Sequence, residues 1–221
     1  MIRKTIFSSF IVFSILSGLA FAATEDFTTY TEQDEGADLT VTSTRVTGTS
    51  METNGDKFYV QKDFGASHFT DFSHLLTVTQ TADSTDSLWG VWAMGNVSGD
   101  LEDLNVNGTG LQLFYLDNDQ LGIYDISTDS YDESTGLSNS TVYYLTISRS
   151  GTTFTCQIYS NSGRTTLVDT ISITSVSTAF RYLKVVAGLD IAGVGKTASG
   201  YVENLDVQEA AGSARRVMVV Q

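Results

Sequence analysis

Short runs in which apolar and polar side chains alternate recur along most of the chain, separated by clusters of Gly, Asn, Asp and Ser. In the run 152–159, Phe154, Cys156 and Ile158 share one face of an extended segment, and polar residues share the other. Alternation with a period of two is typical of half-buried β-strands. Helical periodicity is absent after residue 23. The pattern therefore predicts an all-β chain.

The number and spacing of these runs indicate how the strands are arranged. Ser150-Gly151 and the segment 117–120 each separate two runs by a short turn, which is typical of antiparallel hairpins. About a dozen strands exceed what one open sheet usually holds. We therefore predict an antiparallel two-sheet jelly-roll sandwich. The predicted strands are 27–30, 39–46, 57–64, 72–80, 88–97, 110–116, 121–126, 141–149, 152–159, 166–173, 181–189 and 200–207.

The run 88–96 departs from the pattern because both of its faces are apolar. In a regular strand Trp89 and Trp92 point to opposite sides, so one indole looks away from the core. An aromatic ring on an open groove suits sugar binding, and the alternative is a segment that covers this face. Trp92 is the first candidate for a ligand-binding aromatic and Trp89 the second, with Tyr115 and Tyr124 beside the 117–120 turn as further candidates.

The first 23 residues have the features of a secretory signal peptide. Arg3 and Lys4 precede a mostly apolar stretch, and Ala20-Phe21-Ala22 offers a small-x-small cleavage pattern. The alternative is an uncleaved membrane anchor, for which the stretch is shorter than the ~20 apolar residues of a spanning helix. We expect a signal peptide over 1–23, a sandwich over 24–209 and a short C-terminal tail over 210–221. The mature protein is then secreted, extracellular or in the cell envelope, with no membrane contact after cleavage.

Composition and charge exclude several classes of function. The chain has 26 acidic and 12 basic residues and a net charge of -14, which opposes binding to the phosphate backbone of nucleic acids. Its one cysteine cannot form an intrachain disulfide. No pair of carboxylates has the spacing that glycoside hydrolysis needs, because Glu203, Asp206 and Glu209 are three residues apart and cannot all lie on one face of a regular strand. No catalytic residue is assigned.

Clusters of acidic residues in predicted loops raise the question of calcium, which prefers oxygen ligands. Two clusters are the densest, and the alternative for both is a solvated acidic surface that keeps the protein soluble. Calcium is the one cofactor that the sequence suggests. The candidate metal ligands are Asp100, Glu102, Asp103, Asp117 and Asp119.

Several segments together resemble the laminin-G-like, concanavalin A-like lectin/glucanase superfamily, in the form found in exported bacterial or phage proteins. They are the runs 143–149 and 154–159 around Gly151, and the run 200–207 near the end. The resemblance implies a curved jelly roll whose concave face binds glycans or proteins. Two departures are that Cys156 stands alone, where many laminin-G domains carry a disulfide, and that the E-x-D-x-(x)-E strand of the glucanases does not occur.

These observations favour a non-catalytic, lectin-like module that binds a glycan or another cell-surface polymer on its concave face, in adhesion for example. A structural or assembly protein of a surface layer, fibre or virion is the alternative, with self-association through the tail 215–221. A glycoside hydrolase or lyase is the third hypothesis.

Overall fold

A computed structural model describes residues 24–53, 55–66, 68–117, 119–178, 180–189 and 195–209. The predicted signal peptide over 1–23 and the tail over 210–221, with its proposed self-association, lie outside these residues. Within them, no helix has the length and apolar character needed to cross a membrane.

The described chain contains fourteen strands and two short helical elements. The helical elements are the 3-10 turn Phe27–Thr29 and the helix α1 at Leu101–Asn107. The strands are β1 Thr31–Asp34, β2 Leu39–Val41, β3 Arg45–Glu52, β4 Phe58–Asp63, β5 Phe72–Asp83, β6 Leu88–Gly95, β7 Gly110–Leu116, β8 Leu121–Asp125, β9 Ser130–Glu133, β10 Tyr143–Ser150, β11 Thr153–Tyr159, β12 Leu167–Thr174, β13 Tyr182–Val185 and β14 Thr197–Glu209.

The strands form two sheets of seven strands each, and every neighbouring pair is antiparallel. Sheet I has the order β1-β4-β13-β6-β7-β8-β9, and sheet II has the order β12-β11-β10-β5-β14-β3-β2. The two sheets contribute to one continuous apolar cluster, as expected when each buries one face against the other. The predicted all-β antiparallel sandwich is confirmed.

A β-bulge in β6 decides where the two tryptophans lie. Gly90 pairs with Phe114 and Trp92 pairs with Leu113, so Val91 has no residue opposite it. The extra residue reverses the alternation, and Trp89 and Trp92 therefore point to the same side, into the core. Both indoles are fully buried. The prediction that one of them lines an open groove is wrong, because it assumed a regular strand.

Each indole N–H has a buried partner from sheet II. Trp89 Nε1 donates to Gln80 Oε1 at 2.9 Å, and Trp92 Nε1 donates to His74 Nδ1 at 3.2 Å. Burial lowers the pKa of His74 to about 3, so its ring is neutral and can accept this bond. These bonds join the two sheets and fix the indoles within the core.

The outer face of β6 is covered by helix α1, which the sequence pattern did not predict. Asp100 caps this helix, since its side chain accepts a hydrogen bond from Asp103 N at 2.8 Å, and Asp103 in turn accepts from Asp100 N. Leu101 and Leu104 pack in a small apolar cluster with Ala93 of β6. Strand β6 is therefore covered on both faces, one of the two alternatives that its sequence left open.

A fully buried lysine lies on sheet I near the start of helix α1. Lys184 of β13 donates from Nζ to Gln61 Oε1 at 3.1 Å and to the Val97 carbonyl at 2.8 Å. Burial lowers its pKa to about 8, and the charges of Asp100 and Asp103 act in the opposite direction. The lysine thus connects sheet I to the segment that leads into the helix.

Candidate functional site

Beyond helix α1, the outer face of sheet I carries three aromatic rings on adjacent strands. Tyr124 of β8 pairs directly with Tyr131 of β9, and Phe114 of β7 pairs with Gly122 of β8. Tyr131 is 48% exposed, whereas Phe114 is almost buried. We call Phe114, Tyr124 and Tyr131 the aromatic strip.

A glycine allows two of these rings to meet. The rings of Phe114 and Tyr131 are stacked, with centroids 6.1 Å apart and planes 7° from parallel. A Cβ on Gly122 would lie 2.5 Å from Phe114 Cε2 and 3.0 Å from Tyr131 Cε2. Only the absence of that Cβ lets Tyr131 lean across β8 onto Phe114. The stacking holds the exposed ring in one orientation.

Carboxylates fix the phenol groups of the strip. Tyr124 Oη donates to Asp129 Oδ1 at 2.9 Å, and Tyr131 Oη donates to Glu133 Oε2 at 2.5 Å. Burial and these bonds raise the pKa of both tyrosines, so both phenols are protonated at neutral pH. Each carboxylate also has a second oxygen, which can accept a hydrogen bond from a ligand.

Helix α1 borders the strip on one side. Gln112, next to Phe114 on the outer face of β7, donates from Nε2 to Asn105 Oδ1 at 2.8 Å and anchors the helix there. Val106 of the helix is 66% exposed. The site therefore offers an exposed ring face, hydrogen-bond acceptors at its rim and an apolar residue on the adjacent helix. This arrangement can bind an extended, hydroxyl-rich molecule by stacking.

Of the four aromatic residues that the sequence singled out, one lies on this face. Tyr124 belongs to the aromatic strip, whereas Trp89, Trp92 and Tyr115 are fully buried in the core. Tyr115 is stacked on Trp89 with centroids 6.1 Å apart, and its candidacy as a ligand-binding residue is wrong because its position beside the turn faces the core. Tyr131 was not predicted as a candidate because its strand, β9, has four residues, and the three besides Tyr131 are polar, so no run of alternating apolar and polar residues marks it.

Three of the five predicted calcium ligands, Asp100, Asp103 and Asp117, bond other groups of the protein. Asp100, Glu102 and Asp103 lie at the N-terminus of helix α1 rather than in a loop, and Asp103 also pairs with Lys57. Asp117 Oδ2 accepts a hydrogen bond from Asp86 N at 2.7 Å. Asp119 has a left-handed backbone with φ of 59°. Among the described residues, no group of three or more His, Cys, Asp or Glu side chains is arranged to hold a metal ion.

Comparison with known proteins finds similarity in structure only. No family model matches the sequence, and no curated protein matches it. A functionally unknown protein from Saccharomyces cerevisiae superposes with a TM-score of 0.56 at 10% identity, covering 85% of this chain and 100% of the other. A legume lectin-like domain from Entamoeba histolytica gives a TM-score of 0.52 at 16% identity, covering 81% and 89%.

A larger enzyme contains a similar unit. A Trypanosoma rangeli sialidase superposes with a TM-score of 0.51 at 11% identity over 78% of this chain, which spans only 26% of the sialidase. At these identities the similarity concerns the fold alone. It is consistent with the concanavalin A-like sandwich that the sequence suggested, while the laminin-G type in particular stays a prediction.

Proposed function

We propose that the protein is an exported, non-catalytic, lectin-like module that binds a glycan or another surface polymer on the aromatic strip. One observation carries the proposal. The Tyr131 ring is half-exposed yet held parallel to Phe114, beside Tyr124 on the next strand. A rigid ring that presents its face to solvent costs little entropy when a ligand stacks on it.

The chemistry of a sugar fits this surface. The C–H face of a pyranose is apolar and can stack on Tyr131, while its hydroxyls can donate to Asp129 and Glu133 at the rim. A polymer repeats this pattern and can reach from Tyr131 along the side of helix α1 towards Val106. The strip is an open face of a rigid sheet, which suits an extended chain.

The charge of the protein narrows the ligand class. With 26 acidic and 12 basic residues, the chain repels polyanions, and both rim residues are carboxylates. We therefore expect uncharged polysaccharides to bind better than uronic acid-containing or sulfated ones.

The test is a binding experiment on insoluble and immobilised uncharged polysaccharides, with Tyr131→Ala as the variant. Loss of one stacked ring should weaken Kd about tenfold or more. Tyr131→Phe keeps the ring and should retain binding. Tyr201→Ala, which removes a partly buried tyrosine from sheet II, is the matched control.

Two results would count against the proposal. Equal binding by wild type and Tyr131→Ala would remove the aromatic strip as the site. Release of reducing sugars from any of the polysaccharides would show an enzyme in place of a non-catalytic module.

A further inference from the structure

The outer face of sheet II, opposite the aromatic strip, contains a polar cavity that the proposed function does not use. Its volume is about 250 Å³, smaller than the ~300–1,000 Å³ typical of pockets for drug-sized ligands. It therefore has room for one small molecule. The polar residues that line it include Thr77, Tyr144, Ser162, Arg164, Asn204 and Asp206.

A β-bulge in β14 builds one wall of this cavity. Glu203 pairs with Thr77 and Asp206 pairs with Leu75, so two residues of β14 lie opposite the single residue Leu76 of β5. The extra residue is accommodated by Asn204, whose φ is 54°. Because of the bulge, Glu203 and Asp206 lie on the same outer face although they are three residues apart. A regular strand would turn Asp206 into the core.

Only one oxygen of the Asp206 carboxylate has a hydrogen-bond partner among the described residues. Its Oδ2 accepts a hydrogen bond from Gln208 Nε2 at 2.9 Å. Its Oδ1 is shielded from solvent and has no hydrogen-bond partner in the described part of the chain. A shielded carboxylate oxygen without a donor costs free energy. Asp206 lines the cavity, and its Oδ2 keeps a lone pair that can accept a hydrogen bond from a ligand.

A guanidinium supplies the donors of the same cavity. Arg164, in the connection between β11 and β12, folds back over sheet II, where Nε and Nη2 donate to the carbonyls of Leu145 and Leu76 at 3.3 and 3.4 Å. Its backbone, like that of Asn204, is left-handed, with φ of 50°. Such strained residues persist where the surrounding structure holds them and cluster at functional sites. The guanidinium has five N–H groups, so donors remain for a ligand.

We propose that this cavity binds one neutral, polyhydroxylated molecule of monosaccharide size. A sugar hydroxyl donates to the Asp206 carboxylate, and a hydroxyl or ring oxygen accepts from Arg164. A hydroxyl group can donate to Asp206 and accept from Arg164. An anion would be repelled by Asp206, and a monovalent cation would be repelled by Arg164. The inference does not rest on the aromatic strip, which lies on the other sheet.

The experiment measures binding of methyl glucoside, methyl galactoside and methyl mannoside to the full chain by ligand-observed NMR and titration calorimetry. Asp206→Asn replaces the accepting oxygen by an amide and should weaken binding at least tenfold. Glu203→Gln is the matched control, because Glu203 lies on the same face but pairs with Arg45 outside the cavity. It should leave the affinity within about twofold of wild type.

A second variant keeps the test decisive if Asp206→Asn does not fold. Ser162 is exposed at the mouth of the cavity, so Ser162→Trp should fill it without disturbing the core and should abolish sugar binding. Tyr131→Ala should leave this binding unchanged, which separates it from the polysaccharide site. The proposal is overturned if no methyl glycoside binds, if these cavity variants bind as wild type does, or if glycine or glucuronate binds and the neutral sugars do not.

Discussion

The two outer faces of the sandwich are built on the same core but have different chemistry. On sheet I, strands β7 to β9 present the rings of Phe114, Tyr124 and Tyr131, with carboxylates at the rim. On sheet II, a bulge in β14 and a folded-back arginine enclose a small polar cavity. The first face suits stacking of an extended chain, and the second suits hydrogen bonding of a single small molecule.

Both faces owe their features to places where a strand departs from regular alternation. The bulge in β6 turns Trp89 and Trp92 into the core and leaves small residues on the outer face, where helix α1 packs. The bulge in β14 does the reverse, since it keeps Asp206 on the surface. One inserted residue in each strand thus removes an aromatic ring from one face and adds a carboxylate to the other.

The largest expected effect is a loss of stability, and it comes from a core residue instead of a residue on either outer face. Trp92→Ala should lower the free energy of unfolding by about 3–5 kcal/mol, because it leaves a cavity and removes the hydrogen bond to His74. Urea denaturation would measure the loss. At a temperature where the variant is still folded, polysaccharide binding should persist.

Tyr131→Ala should show the opposite behaviour, with a change in stability below about 1 kcal/mol and loss of polysaccharide binding. A Trp92→Ala protein of wild-type stability that no longer binds polysaccharide would contradict the buried position of the indole and restore the open-groove hypothesis.

The second effect concerns the lysine that connects sheet I to the segment leading into helix α1. The pKa of Lys184 falls from 10.5 to about 8 on folding. Between these two pH values the unfolded chain carries a proton that the folded chain has lost, so stability rises with pH across this window. The gain is on the order of 3 kcal/mol. In Lys184→Met this contribution is absent.

Stability curves of wild type and Lys184→Met, measured from pH 7 to 10.5, should therefore not run parallel. The wild type should gain stability relative to the variant as the pH rises. Other groups titrate in both proteins and cancel in the difference. Parallel curves would mean that Lys184 is solvated and does not lie buried beside the segment that leads into helix α1.

Much of the fold followed from the sequence, because strand alternation and turn residues are local signals. The run 152–159 became β11, and the 117–120 turn joins β7 to β8 as expected. The run 39–46 proved to be two strands, β2 and β3, and the predicted strand 27–30 is mostly a 3-10 turn. These errors lie at element boundaries, where local signals are weakest.

The candidate sites followed less well, because bulges carry no clear local signal. Alternation counted through residue 91 placed one tryptophan outside, and counting through residue 204 put Glu203 and Asp206 on different faces. Helix α1 has seven residues, too few to show a helical period. The two residues of its capping box, Asp100 and Asp103, belong to an acidic cluster that was interpreted as a candidate calcium site. Tyr124 was found as a candidate only because it is near a predicted turn. The positions of the other site residues depend on how the strands pair, which the sequence does not show.

The third effect tests the geometry of the aromatic strip. Gly122→Ala would place a methyl group within 2.5 Å of the Phe114 ring, so the stacked rings must separate. We expect a loss of about 1–3 kcal/mol in stability and a several-fold loss of polysaccharide affinity. Gly163→Ala is the control, since the nearest atom to its new Cβ is 3.5 Å away. Unchanged affinity in Gly122→Ala would show that ligand binding does not need the stacked pair.

The smallest expected effect tests the backbone conformation of Asn204, beside the cavity on sheet II. Asn204→Gly and Asn204→Val both remove the same amide side chain, but glycine adopts a φ of 54° without strain and β-branched valine adopts it only at a cost. Asn204→Val should therefore be about 1–2 kcal/mol less stable than Asn204→Gly and should bind methyl glycosides several-fold more weakly, because the bulge that keeps Asp206 on the surface is strained. Polysaccharide binding on sheet I should be equal in the two variants. Equal sugar affinity in both would mean that the cavity does not depend on the bulge, since only the backbone preference at position 204 distinguishes them.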